Sequence, residues 1–185
     1  MKKTLIAVVS TVLICCCVFG GTLAWLMDKT ESITNTFTVG NVDITLTETG
    51  ATDNAQSFKM VPGSDIAKDP KVTVEAGSEE CYVFIKIEKA NDFDNYMTYT
   101  IADGWTAVAG ADGVYSRLVK TDEMGTPISV LKDDKVTVKN TVTKDMMDDI
   151  NDNTVDAPTL TFTAYAVQKA NVDNAAAAWD LAKAL

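Results

Sequence analysis

The chain of 185 residues contains no histidine and carries 26 acidic against 16 basic side chains, so its net charge is −10 at pH 7. The absence of histidine excludes His-dependent catalytic triads, HExxH zinc sites and imidazole acid–base catalysis. The acidic balance disfavours nucleic acid and anionic membranes as partners.

An export signal peptide is predicted at residues 1–24. Two lysines precede an uncharged apolar run, residues 5–19, which is shorter than the roughly 20 apolar residues that a membrane span needs. Small side chains before the junction place cleavage between Ala24 and Trp25, within two residues. The alternative is an uncleaved anchor, because the stretch approaches span length when it is continued to Met27. With cleavage, the chain contacts the membrane only transiently, during export.

The predicted mature chain, residues 25–185, forms a single domain. Loss of Lys2 and Lys3 with the signal changes the net charge from −10 to −12. Cys81 is the one cysteine left, so no internal disulfide can form. It begins an apolar run, which favours a buried thiol over an intermolecular disulfide.

Alternation of apolar and polar residues predicts about seven to nine short strands. They cover residues 37–46, 72–76, 81–88, 105–108, 114–119, 128–131, 136–142 and 158–166. The strand at 81–88 starts apolar on both faces, which indicates a central, covered strand that emerges to solvent at its end. Residues 105–119 are typical of a hairpin with a four-residue loop at 110–113.

The first strand changes phase at Gly40-Asn41, where a β-bulge would bring its apolar side chains onto one core face. Those side chains are Phe37, Val39, Val42, Ile44 and Leu46. Residues 50–69 are rich in turn formers, and Pro62-Gly63 suits the centre of a type II turn.

Helical segments are short in this sequence. A helical turn is predicted within 91–98, a short helix at 144–153, and a terminal helix from about Asp173, an acceptable N-cap. On the terminal helix one side presents Ala175, Ala178, Ala182 and Leu185, with Trp179 adjoining. The predicted fold class is therefore all-β, a β-sandwich or jelly roll with short helical insertions and a C-terminal helix.

No catalytic residue and no cofactor is predicted, apart from candidate calcium ligands in two acidic clusters. The candidates are Asp92 and Asp94 in one cluster and Asp145, Asp148, Asp149 and Asp152 in the other. Neither cluster has the EF-hand spacing, and the alternative is a solvated, charged loop. The tryptophans at 105 and 179 are predicted to be core residues rather than ligand platforms.

Specific stretches resemble the TasA/camelysin family of exported proteins of Gram-positive bacteria. They are Gly-Gly-Thr-Leu-Ala-Trp-Leu-Met-Asp from residue 20, Thr-Asn-Thr-Phe-Thr-Val-Gly-Asn-Val-Asp-Ile-Thr-Leu from residue 34, Val61-Pro62-Gly63-Ser64, Lys68-Asp69-Pro70 and Tyr82-Val83-Phe84-Ile85-Lys86. The resemblance implies cleavage by a SipW-type signal peptidase and a jelly-roll-like domain. It also implies a secreted protein in the extracellular matrix or at the cell surface.

The same resemblance implies a function. Family members include biofilm-matrix fibre subunits that lend an N-terminal strand to the neighbouring subunit, so the expected partners are copies of this chain or homologous subunits. The candidate donor side chains are Trp25, Leu26, Met27 and Ile33, within residues 25–33. One alternative is a camelysin-type metalloendopeptidase, which the absence of histidine disfavours. Another is a surface module that binds glycan or calcium.

Overall fold

The computed structural model describes residues 41–51 and 57–184, all of which belong to one compact unit. Within this part the strands are β1 (Ile44–Thr47), β2 (Asp65–Ala67), β3 (Lys71–Val74), β4 (Cys81–Ala90), β5 (Met97–Thr98), β6 (Thr106–Ala107), β7 (Val114–Val119), β8 (Ile128–Ser129), β9 (Lys135–Val138) and β10 (Thr159–Gln168). The helices are α1 (Phe93–Tyr96), α2 (Lys144–Asn151) and α3 (Ala175–Ala182), with 3₁₀ turns at Thr121–Glu123 and Lys132–Asp134. The predicted cleavage point lies outside the described residues.

The described strands form three antiparallel sheets, with strand orders β10-β4-β7-β6, β1-β3-β8 and β2-β9-β5. The longest pairing joins β4 to β10 over ten residues, from Cys81 opposite Gln168 to Ala90 opposite Thr159. The predicted all-β class with short helices is therefore confirmed. The strands form three separate sheets instead of one continuous sheet, and several of them are only two to four residues long.

Strand β4 lies at the centre of the domain, as its apolar start predicts. Cys81, Val83, Ile85 and Ile87 enter the main core, where they pack with residues of β3 and β10. Phe84 points to the opposite face and belongs to a second cluster that includes α3. The last three residues of the strand are exposed, so the predicted emergence to solvent is also confirmed.

Helix α3 covers the outer face of the four-stranded sheet. Ala178 and Ala182 are fully buried, because their small side chains let the helix approach the sheet closely. Trp179 packs against Phe84 and Tyr165, with ring centroids 5.4 Å apart in each pair. The predicted N-cap is wrong by one position. The cap is Asn174, whose Oδ1 accepts a hydrogen bond from the Ala177 N–H at 3.0 Å, and not Asp173.

The first strand departs from the predicted pattern at its end. Val42 and Ile44 pack against the main core, as predicted, but the Leu46 side chain is 37 % exposed. Leu46 lies opposite Val72 of β3, and among the described strands β1 has no neighbour on its other side. Its side chain is therefore covered from one direction only. The predicted strand start and most of the predicted bulge lie outside the described residues.

The turn-rich segment contains one strand that alternation did not predict. The type II turn at Pro62-Gly63 is confirmed by a hydrogen bond from the Ser64 N–H to Val61 O at 3.0 Å and by the φ of +77° at Gly63. Strand β2 follows at once and pairs with β9. Its three residues are too few to show a period.

The predicted short elements are otherwise present. Helices α1 and α2 occupy the predicted helical segments, and β6 and β7 form the predicted hairpin with a longer connection, residues 108–113. None of the helices in the described part of the chain is long and apolar enough to span a bilayer.

Candidate functional site

The candidate donor side chains and the cleavage point lie outside the described residues. This holds for Ala24, Trp25, Leu26, Met27 and Ile33. Their roles stay predictions, and the described structure contributes the surfaces that such a segment would meet.

The first acidic cluster is arranged around lysines. Asp92 has a left-handed backbone, with φ of +53°, directly before α1. The Asp94 carboxylate accepts a hydrogen bond from Lys89 Nζ at 2.9 Å, and its carbonyl oxygen accepts one from Lys139 Nζ. The Asp94 carboxylate is thus paired with one lysine, Lys89.

The second acidic cluster follows helix α2. Asp145 lies in the first turn, Asp148 pairs with Lys144, and Asp152 caps the C-terminal end, one turn beyond Asp148. The Asp149 carbonyl and carboxylate accept hydrogen bonds from the Thr154 hydroxyl. In residues 41–51 and 57–184, no group of three or more acidic or cysteine side chains is placed to hold a metal ion. Calcium binding at either cluster stays a prediction.

Strands β1 and β10 are edge strands of their sheets. Strand β10 is bonded only to β4, and β1 only to β3, among the strands that the structure describes. The two strands lie close to each other, and residues of both pack against the main core. An edge presents a row of unpaired backbone N–H and C=O groups, which is a template for pairing with another chain.

A cavity of about 430 Å³ opens at the end of these edges. It lies between the residue that follows β1, strand β2 and the start of β10. Its lining is mixed. The apolar residues are Phe58, Met60, Ile66, Phe93, Met97, Val136, Ala157, Pro158 and Leu160, and the polar or charged ones are Glu48, Ser57, Lys68, Thr159 and Thr161. Its volume falls at the small end of the range for ligand pockets, about 300–1,000 Å³.

One ion pair is set into the wall of this cavity. Lys68 Nζ lies 2.7 Å from Glu48 Oε2, and the two side chains are only 13 % and 15 % exposed. The ammonium also stands 5.6 Å from the ring centroids of both Phe58 and Phe162, within reach of a cation–π attraction. The other carboxylate oxygen, Glu48 Oε1, is buried and accepts no hydrogen bond from a described residue.

Thr49, the residue after Glu48, is held in place by hydrogen bonds to Asp69. The Thr49 N–H and hydroxyl donate to the Asp69 carboxylate at 3.0 and 2.8 Å. Burial raises the pKa of Asp69, but the hydrogen bonds from Thr49 and Lys71 outweigh it and hold that pKa below its ordinary value. Asp69 is therefore ionised at neutral pH and clamps the end of β1 beside β3.

The remaining candidate functional side chains, Cys81 and the two tryptophans, pack in or against the core. Cys81 is fully buried, and burial raises the pKa of its thiol to about 11, so it is not a thiolate at neutral pH. Trp105 is a core residue, as predicted, and its Nε1 donates to Ser129 O at 2.9 Å. Trp179 belongs to α3 and is partly buried against Phe84 and Tyr165. With no histidine in the chain and no such ligand group among the described residues, the side chains do not fit a zinc site.

The alternation of apolar and polar residues does not predict the cavity, but the position of Glu48 in that alternation is one signal for it. Val42, Ile44, Leu46 and Glu48 share a parity, so the glutamate occupies a core-facing position at the end of an apolar face. A charged residue in such a register position needs a partner, and Lys68 provides it.

Residues 1–90 match the sequence model of a family described as Camelysin metallo-endopeptidase, a match that ends with the last residue of β4. No curated protein and no solved structure gives a significant match to the chain. The match contains every stretch on which the resemblance rests, including residues 20–28 and 34–46. The predicted resemblance to the TasA/camelysin family is therefore confirmed, over residues 1–90 of this chain.

Proposed function

We propose that this protein is an exported structural subunit, or an accessory, of extracellular biofilm-matrix or cell-surface fibres. The segment 25–33 of one copy would add to the sheet of the next. The observation that carries the proposal is that β1 and β10 each have one free edge among the described strands, and that the end of β1 and the start of β10 adjoin a cavity. The family resemblance supports the same role.

Strand addition at this side is favourable for physical reasons. An added strand satisfies backbone groups along the ten-residue β10 edge, and apolar side chains of that strand fill the adjoining space. The mature end Trp25-Leu26-Met27 is apolar and needs a place to be buried. Full burial of one such side chain stabilises the assembly by roughly 1.5–3 kcal/mol.

The proposal also names partners and place. The partners are further copies of this chain or homologous subunits, with a SipW-type signal peptidase acting during export. The product is located in the extracellular matrix or at the cell surface. Head-to-tail donation is a heterologous contact, which gives filaments when the rotation between successive copies does not close a ring.

Deletion of Trp25–Glu31 from the mature chain tests this function. We expect a folded, soluble monomer with an unchanged far-ultraviolet β spectrum and no fibres in electron micrographs. The matched control replaces the charged residues Asp28, Lys29 and Glu31 by serine, keeps the apolar anchors, and should retain fibres. Fibres from the deleted chain would assign donation to another element. Loss of folding would place the segment in its own core.

The family description favours a second candidate, a camelysin-type metalloendopeptidase. The absence of histidine weighs against it. A surface module for glycan or calcium is a third candidate, which a glycan array at fixed calcium concentration would test.

A further inference from the structure

We propose that four methionines around helix α2 form an oxidation site, at which a peroxide converts their thioethers to sulfoxides and so releases the helix from the domain. The methionines are Met60, Met97, Met146 and Met147. This site goes beyond the proposed fibre function and does not depend on it. Each step transfers one oxygen atom. The O–O bond of hydrogen peroxide breaks, an S–O bond forms on the oxidised sulfur, and the reduced peroxide leaves as water.

The methionines of the described chain are concentrated in one small cluster of apolar side chains. Of the five in the part of the chain that the structure describes, Met124 alone lies elsewhere, against the main core. The cluster joins α2 to α1 and to strands β2, β5 and β9, and its buried members are Tyr96, Val138 and Val142. The flexible thioether side chain suits such a junction of several short elements.

Helix α2 is held to the domain by apolar side chains. Among the described residues, 143–155 make their hydrogen bonds and their ion pair within that segment. Thr143 caps the helix, and Lys144 pairs with Asp148 one turn further on. The side chains of α2 that pack against the cluster are Met146, Met147 and Ile150. Two of these three anchors are therefore thioethers.

The thioethers can be reached from solvent. All four side chains are half-buried rather than fully enclosed, and Met60 and Met97 line the cavity of about 430 Å³. A water molecule takes up about 30 Å³ in the liquid, and hydrogen peroxide is larger by one oxygen atom, so the cavity admits it. Cys81 is fully buried by contrast. A peroxide therefore meets the methionines before it meets the thiol.

Oxidation changes the packing chemistry of the cluster. A sulfoxide is polar, and its oxygen accepts hydrogen bonds. Apart from Tyr96, the other members of the cluster are aliphatic, so sulfoxide oxygens kept inside it would be buried without enough donors. Release of α2 removes this cost because it brings Met146 and Met147 into water. The buried residues of the main core include no methionine, so the rest of the domain keeps its packing.

Hydrogen exchange of the wild-type protein before and after peroxide treatment tests the site. Peptide mapping by mass spectrometry should find one added oxygen atom on each of the four methionines. The amides of α2 should then exchange about tenfold or more faster, while those of β4 stay unchanged. Treatment with both stereospecific sulfoxide reductases should restore slow exchange, since each enzyme reduces one epimer.

A double variant, Met146→Leu with Met147→Leu, is the matched control. Leucine is close to methionine in volume and in helix propensity but has no sulfur. The variant should therefore fold, and peroxide should leave the exchange of its α2 amides unchanged. Met124→Leu removes a thioether outside the cluster, so this single variant should respond to peroxide as the wild type does.

Three results would overturn the proposal. Cluster methionines that stay reduced while Met124 is oxidised would show that the site is not accessible. Unchanged α2 exchange in a chain with sulfoxides at both Met146 and Met147 would show that other contacts hold the helix. Loss of protection in the double leucine variant would place the trigger elsewhere. The first two results come from the wild-type chain, so they decide the question even if the double variant does not fold.

Discussion

Lys68 and Glu48 form an ion pair of 2.7 Å between two different sheets. Glu48 follows β1 of one three-stranded sheet, and Lys68 follows β2 of the other. The pair therefore links two sheets that share no hydrogen-bonded strand, and it forms part of the cavity wall.

Removal of the lysine should be costly. Lys68→Met leaves the largely buried Glu48 carboxylate without a countercharge, and we expect a loss of about 2–3 kcal/mol, somewhat below the range for fully buried pairs. The matched control is Lys183→Met, which breaks an exposed pair with Asp180 and should change stability by less than about 0.5 kcal/mol. Urea unfolding measures both, and equal effects would contradict a structural role for the buried pair.

Cys81 should be chemically protected in the folded protein. It is fully buried, so iodoacetamide at pH 8 should label it only after unfolding, as read by intact mass. Cys81→Ala should cost about 1 kcal/mol and leave assembly intact. A dimer on a non-reducing gel that disappears in the mutant would show instead that the thiol is accessible.

The raised pKa of Cys81 adds a pH dependence. The thiol is neutral in the folded state, where burial raises its pKa to about 11, whereas in the unfolded chain it ionises near a pKa of about 8.5. Its contribution to stability is therefore complete below about pH 8.5 and falls as the pH rises toward 11. The stability difference between wild type and Cys81→Ala should shrink over that range. A difference that stays constant would count against the buried neutral thiol.

Asp65 should make part of the stability acid-sensitive. The hydrogen bond from the Thr137 hydroxyl and then the one from Lys135 hold the pKa of Asp65 below its ordinary value. A lowered pKa in the folded state means that its contribution is present above about pH 4 and is lost as the pH falls through the lowered value. Asp65→Asn should flatten this part of the acid unfolding curve, and Thr137→Val should do so in part. An unchanged curve in Asp65→Asn would contradict the prediction.

The pure protein should not hydrolyse casein in a zinc-dependent, chelator-sensitive way. The physical reason is the lack of histidine, the residue that most zinc peptidase sites use as a ligand. Zinc analysis of the purified chain should accompany the assay. Activity that copurifies at constant specific activity, and falls on mutation of aspartate or glutamate residues, would reverse this expectation.

Mass spectrometry of the secreted protein should find an N-terminus within two residues of Trp25. This expectation rests on the order of residues 1–24, in which a charged start is followed by an apolar run and then by small residues. Recovery of the full-length chain from medium or membrane would reject cleavage, and with it the free N-terminal segment that strand donation needs.

Long strands with a clear hydrophobic pattern can be predicted from the sequence. The alternation of apolar and polar residues predicts the ten-residue strand β10, and the apolar start of β4 predicts that both faces of that strand are covered. The Pro62-Gly63 turn followed from local backbone preference. Such features depend on residues that are neighbours in the chain, so the chain alone is enough to predict them.

Composition and the alternation of apolar and polar residues are local properties, so they are enough to predict an all-β domain without histidine chemistry. Tertiary packing accounts for the exposure of Leu46, the covering of Phe84 by α3, and the pairing of Glu48 with Lys68 in a cavity wall. These facts depend on which strands become edges and on which sheets lie face to face. Such relations join residues far apart in the chain, and a periodic pattern carries no information about them.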